Sequence, residues 1–247
     1  MVIKPSGKDP SAVNAVAARW KEAGLPDGVL SVVHGDKEAV DALLTHPLIK
    51  AVSFVGSTPI AKYVYETGTA HGKRVQALGG AKNHMLVLPD ADLDLAADAA
   101  VNAGFGSAGE RCMAISALLA VDTIADELVE KIKDRVGKLV TGDGTRGCDM
   151  GPLVTAQHRD RVTSYLDAGT EAGATLVIDG RDGDIDADGA GYFPKPTLFG
   201  KVNRADVIYT GEIFRPVLSG GRGESPCFIH PRLRPGAHPG KYRGVRD

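Results

Sequence analysis

At 247 residues, 43% hydrophobic and 24% charged, the chain has room for one large globular domain or two small ones. A net charge of −2 argues against a general nucleic-acid surface, and no apolar stretch approaches the roughly 20 residues that span a bilayer. The opening Met1-Val2-Ile3-Lys4-Pro5 lacks the apolar core of a signal peptide, which predicts a cytoplasmic protein. The three cysteines, Cys112, Cys148 and Cys227, have no framework spacing and read as reduced thiols, so the question is whether one of them is reactive.

In chain order, Asp9–Ala23 opens on Asp-Pro, a helix-start signature, and carries apolar residues at helical spacing. A Gly-Leu-Pro-Asp-Gly turn leads to a strand over Val29–His34, a helix over Lys37–Thr45 and a β-rich run over Lys50–Val55. Alternation of this kind predicts an α/β fold with a parallel sheet. A helix follows over about Pro59–Gly68, then strands at Arg74–Leu78 and Met85–Leu88. Asp92–Ala103 is an alanine-rich helix whose acidic first turn suits the helix dipole. Ile115–Val121 reads as a buried strand, Glu127–Lys138 and Thr155–Ala172 as helices, and Leu176–Ile178 and Tyr192–Leu198 as strands.

Composition changes at about residue 219. Residues 220–247 hold six Gly and four Pro, with six basic and two acidic residues, a local +4 that leaves −6 for residues 1–219. No period of 2 or 3.6 survives there, so an irregular tail is expected. A basic tail could recruit an anionic partner; the simpler reading is a sequence never selected to fold, and we favour it.

Three sets of residues carry chemistry. In Phe54-Val55-Gly56-Ser57-Thr58-Pro59, a strand feeds a Gly-Ser-Thr turn and a helix with proline in its first turn. That arrangement aims backbone N–H groups at an anion such as a dinucleotide pyrophosphate, although such turns are also common connectors. In Gly106-Ser107-Ala108-Gly109-Glu110-Arg111-Cys112, a cysteine lies in a glycine-rich segment beside an arginine that favours its thiolate. A lone cysteine is more often a small buried hydrophobe, and that reading is kept for Cys148 and Cys227. Lys4-Pro5-Ser6, Ala77-Leu78-Gly79-Gly80 and Glu212-Ile213-Phe214 mean little singly. The seven histidines form no His-x-x-x-His pair, so no metal site is expected.

Taken together and in this order, these segments resemble the aldehyde dehydrogenase superfamily over about residues 2–219. The resemblance implies an aldehyde dehydrogenase-like α/β fold: a partial Rossmann-type NAD-binding domain (1–80), a catalytic α/β domain (81–219) and the tail (220–247). It implies that Lys4 and Ser57 contact the adenosine ribose and pyrophosphate of NAD, with Ser6, Gly56, Leu78 and Gly79 completing that set. Glu212 would hold the nicotinamide ribose, with Phe214 near the nicotinamide. Cys112 would attack the aldehyde to give a thiohemiacetal, then a thioester.

Where most members carry a glutamate base before Leu-Gly-Gly, this chain has Ala77, which accepts no proton. The pattern, with Gly-Glu-Arg-Cys-Met-Ala, resembles the methylmalonate-semialdehyde branch, which passes its acyl group to coenzyme A. A thiol of pKa near ~8.5 supplies thiolate without a strong base. Arg111 would then bind the carboxylate of methylmalonate or malonate semialdehyde, oxidised to propionyl-CoA or acetyl-CoA.

Two further departures are Gly7, where the family commonly has glutamate, and Arg215, where it has glycine. Both argue against tight NAD binding, and Arg215 is expected to place its bulk beside Glu212 and Phe214. The likeness is to the central part of a longer protein. The missing ends would include the asparagine that completes the oxyanion hole, a loss on the order of 10²–10³ in rate. They would also include the oligomerisation strand, which argues against a family-like homo-oligomer. The break near Pro216–Ser219 reads as a shifted reading frame, and weak or absent turnover is expected. The rival readings are another aldehyde dehydrogenase and a non-catalytic fragment that associates with other subunits.

Overall fold

A computed structural model describes residues 1–181 and 191–224. The chain divides into two compact units, Met1–Gly80 and the portion from Ala81 onward.

In the first unit, β1 (Val2–Ile3) pairs in parallel with β2 (Ser31–Val32), with α1 (Ser11–Glu22) between them in sequence. After α2 (Lys37–Thr45), β3 (Ala51–Val55) pairs in parallel with β4 (Arg74–Leu78) across α3 (Thr58–Ala70). Both β3 and β4 alternate exposed and half-buried residues, the pattern of a sheet with one covered face. The cover is α3, which buries Ala61, Val64 and Gly68. A Cβ at Gly68 would stand 2.7 Å from Val75 Cγ2, so glycine permits the close approach of helix and strand. Lys73 is buried, and its ammonium is hydrogen-bonded there: Nζ donates to His46 O and Ile49 O at 2.6 and 2.7 Å.

The second unit is built on a five-stranded sheet in the order β5 (Asn83–Val87), β6 (Ile115–Val121), β9 (Val217–Gly223), β8 (Thr197–Gly200), β7 (Thr175–Ile178). Every pairing is parallel except β7 with β8. Helices α4 (Leu93–Phe105), α5 (Asp122–Val136), α6 (Ala156–Glu171) and the short α7 (Val207–Thr210) complete the unit. The alanines of α4 let it pack closely on α5, and Ala97, Ala100, Leu128 and Ile132 are all fully buried. Asp92 caps α4, its Oδ1 accepting from the N–H groups of Asp94 and Leu95.

Several expectations need correction. Helix α5 begins at Asp122, directly off β6, rather than at Glu127. The strand expected over Tyr192–Leu198 is confined to Thr197–Gly200, because Pro194 and Pro196 lack the N–H a ladder needs. Tyr192 keeps only an isolated bridge to Leu153. An irregular tail is expected from residue 220, yet residues 220–223 are the end of β9, paired with β6 as far as Gly223. Glycine is accommodated there by crowding: a Cβ on Gly220 would lie 2.9 Å from Phe199 O, and one on Gly221 2.8 Å from Leu119 Cδ2. The rest of the expected tail, 225–247, including Cys227, lies outside the described residues. Among those described, no helix is long and apolar enough to cross a membrane.

Candidate active site

The segment ahead of Cys112 is held in an unusual backbone form. Past the end of α4, Ser107 and Ala108 take φ of 50° and 53°, and Gly109 follows at 71°. Left-handed conformation at two non-glycine residues costs free energy and persists only where the surroundings enforce it. One enforcing contact is direct. A Cβ on Gly109 would fall 2.4 Å from Arg215 O, so the loop and the residues leading into β9 touch backbone to backbone. Another is an ion pair: Glu110 Oε1 and Arg215 Nη1 stand 2.9 Å apart, with side chains only 16% and 7% exposed. Burial pushes the Glu110 carboxyl up and the Arg215 guanidinium down, each opposed by the charge of the other. His158 Nδ1 lies 3.9 Å from Glu110 Oε1, too far for a hydrogen bond, and burial together with Arg215 and Arg161 lowers its pKa.

The Arg215 side chain is folded inward onto Glu110, and it lines the same cleft as Glu212 and Phe214, where its bulk is expected. The reason is electrostatic: a buried guanidinium needs an anion, and Glu110 is the one within reach.

Beyond Glu110 the chain turns outward. Arg111 and Cys112 are exposed, and a turn closes from Ala114 N–H to Arg111 O at 2.9 Å before β6 begins. Arg111 Nε donates to Ser107 Oγ at 3.1 Å, and its guanidinium lies over Gly106, where a Cβ would be 2.6 Å from Nη1. Cys112, Arg111, Glu212 and Phe214 line one open cleft, together with Ala81 and Asn83. Glu212 Oε1 accepts from the Ala81 N–H at 3.1 Å, which leaves its second oxygen for a ligand. Phe214 is held at a φ of 56° and is partly exposed. Cys148 is half-buried and outside this cleft. Among the described residues, no cluster of three or more His, Cys, Asp or Glu could hold a metal ion.

The remaining singled-out residues lie in the first unit. Gly56, Ser57, Leu78 and Gly79 gather at the carboxyl ends of β3 and β4, joined by Gly56 N–H to Leu78 O and by Gly80 N–H to Thr58 Oγ. Ser57 precedes α3, and no side chain caps that helix, whose first turn contains Pro59. Gly79 sits so close to Thr58 that a Cβ would be 2.9 Å from its Oγ1. Lys4 and Ser6 follow β1; Lys4 Nζ donates to Pro5 O and Gly35 O, and Ser6 Oγ accepts from Lys8 N–H. At Gly7 a Cβ would be 3.2 Å from Asp36 Oδ1.

The family model described as "Aldehyde dehydrogenase family" matches residues 1–222. The chain belongs to the aldehyde dehydrogenase family. Among its relatives, a malonate-semialdehyde dehydrogenase of Pseudomonas aeruginosa is 54% identical over 219 residues, 88% of this chain and 44% of that protein. The crystal structure of a methylmalonate-semialdehyde dehydrogenase from Oceanimonas doudoroffii superposes with a TM-score of 0.88 at 50% identity, covering 91% of this chain and 46% of its own. A betaine aldehyde dehydrogenase from Staphylococcus aureus, solved in complex with NAD+, gives 0.86 at 30% identity, covering 92% and 46%. The chain thus spans about half the length of the aldehyde dehydrogenases it matches.

Sequence reasoning passed over three residues of this site. Lys82 and Asn83 form a Lys-Asn pair between a glycine turn and an apolar strand, where two consecutive long polar side chains are a usable signal. Glu110 stood inside the cysteine motif but had no partner in view, because Arg215 is distant in sequence.

Proposed function

We propose that this chain carries the thioester-forming site of an NAD-dependent, coenzyme A-acylating dehydrogenase for malonate or methylmalonate semialdehyde, acting in the cytoplasm. The observation that carries this reading is the cleft in which an exposed Cys112 is flanked by Arg111 and by Glu212. Ala77, at the sequence position where most of the family carries the glutamate base for hydrolysis, agrees with it.

The residues present fit the dinucleotide. The uncapped first turn of α3 behind Gly56 and Ser57 offers N–H groups to a pyrophosphate. Glu212, with one oxygen on Ala81 N–H, has the other available for a ribose diol. Lys4 and Ser6 supply further polar groups, Leu78 and Gly79 form the floor of the turn, and Phe214 offers an apolar face. Bound NAD+ would supply the hydride acceptor.

Arg111, its Nε fixed on Ser107, binds the substrate carboxylate through its terminal nitrogens, which among the described residues take no other hydrogen bond. That places the aldehyde carbon at Cys112 Sγ. The thiolate adds to the carbonyl to form a thiohemiacetal, and departure of hydride from that carbon leaves a thioester on Sγ. With alanine at 77 no side chain there deprotonates water, so a thiol nucleophile is the competent acceptor. Coenzyme A attacks the acyl carbon and Cys112 leaves as thiolate; loss of CO2 from the β-carboxylate, with proton uptake at the vacated carbon, gives acetyl-CoA or propionyl-CoA.

The test is NADH formation by the purified chain with malonate semialdehyde and NAD+, with and without coenzyme A. Formation that requires coenzyme A supports the reading, and equal steady formation without it shows a hydrolytic enzyme instead. Since the chain spans under half the length of its relatives, we expect slow turnover, so Cys112 labelling by a thiol-directed aldehyde analogue is measured alongside. Labelling no faster than that of Cys148 would show a non-catalytic chain.

A further inference from the structure

Three consecutive residues, Ala81, Lys82 and Asn83, each make a long-range contact to a segment that lines the cleft or leads into it. The Ala81 N–H donates to Glu212 Oε1 at 3.1 Å. Lys82 Nζ donates to Ile208 O and Gly211 O, both at 2.9 Å, which ties down the turn ahead of Glu212. Asn83 Nδ2 donates to Cys112 O at 2.8 Å and to Ala114 O at 2.9 Å. Both partners of Asn83 are carbonyl oxygens, so only the NH2 end of the amide can face them.

The backbone explains why Asn83 points there. Asn83 pairs with Ile115 on β6, but the next residue, His84, pairs with Ala117, so Ser116 is an extra residue in the ladder. A bulge of this kind breaks strand alternation and re-aims a side chain. Here the two donors of Asn83 meet the carbonyls on either side of Met113, ahead of the point where β6 begins.

We propose that Ala81–Lys82–Asn83 is a positioning strap that registers the nucleophile turn against the Glu212 carboxylate, with Asn83 the positioning residue for Cys112. Its role in the reaction rests on the function proposed above; its role in ordering the turn does not. The turn 111–114 has one backbone bond of its own, Ala114 N–H to Arg111 O, and the Asn83 amide adds two more to its carbonyls.

Hydrogen exchange on Asn83→Ala and Asn83→Gln variants of the whole chain tests this. In Asn83→Ala, the Ala114 amide in peptides covering 111–115 should exchange at least about tenfold faster, while residues 117–121 of β6 keep their protection. Asn83→Gln retains both donors on a longer stem and should restore at least half of the lost protection on a logarithmic scale. Unchanged exchange at 111–115, acceleration spread evenly into 117–121, or failure of Gln to rescue would each overturn the strap. Single-turnover NADH formation is the second readout: Asn83→Ala should slow it about tenfold at saturating NAD+ and aldehyde, with NAD+ affinity within about twofold of the parent. A slowed rate with equally weakened NAD+ affinity also overturns it. If the parent chain forms no NADH, Cys112 labelling alone decides the proposed function, while exchange still decides the strap.

Discussion

The two units use the same alternation of strand and helix and end with very different interiors. In Met1–Gly80, α1 buries no residue at all, and its apolar stripe leaves Val16 and Trp20 55% and 47% exposed. From Ala81 onward, α5 buries Ala125, Leu128, Ile132 and Val136 against a continuous core. The stripes are similar in kind; what differs is what lies opposite them. A two-residue strand pair offers α1 no surface to cover, whereas a five-stranded sheet offers α5 one. Helix stability in proteins comes mostly from such packing rather than from propensity, so the first unit should be the less stable of the two.

The strongest way to break that contrast uses Phe199, fully buried on β8. Replacing it with alanine should cost about 3–5 kcal/mol, read as a lowered far-UV circular dichroism transition. Trp20, the single tryptophan, reports on α1, and its emission transition should come earlier and stay where it is. One coincident transition that moves as a whole would erase the distinction.

Next in size is the Glu110–Arg215 pair, a feature of the well-packed unit alone. Glu110→Gln or Arg215→Met should each destabilise by about 3 kcal/mol, because each strands a buried partner. The double variant should lose clearly less than the sum, measured by chemical denaturation as a double-mutant cycle. Additive losses would mean the pair does not clamp the loop.

The smallest effect sharpens the contrast through pH. Burial lowers the Lys82 ammonium to about 8 from its ordinary 10.5, against the opposing charge of Glu212. The folded state thus gives up this proton while the unfolded chain keeps it, so stability rises with pH in that interval. The penalty is complete below about 8 and relieved as pH climbs to 10.5. The stability difference between the parent and Lys82→Met should therefore move in the parent's favour by on the order of 1 kcal/mol across that window. A flat difference would show that Lys82 titrates normally in the native state.

Local order was legible wherever one chain segment determines it. The periodicities of Lys37–Thr45, Arg74–Leu78 and Ile115–Val121 mark α2, β4 and β6 at the bounds the structure shows. Cys112, Arg111, Glu212 and Phe214 were visible as motifs, and the cleft contains all four. Hidden from the sequence was everything that depends on a partner far along the chain. Gly220–Gly223 has no strand pattern and becomes strand because β6 runs alongside it and pairs with it as far as Gly223. The bulk of Arg215 beside Glu212 and Phe214 was legible, but its buried ion partner, Glu110, was not. Asn83 lies ahead of the strand expected from Met85, and the bulge in the β5–β6 pairing turns its amide onto the nucleophile turn. Apolar spacing and helix-start residues act within a turn or two, so they survive in one dimension. Ion pairs, bulges and side-chain clamps are satisfied only across the fold, and in this protein the packing of the sheet decided which of them formed.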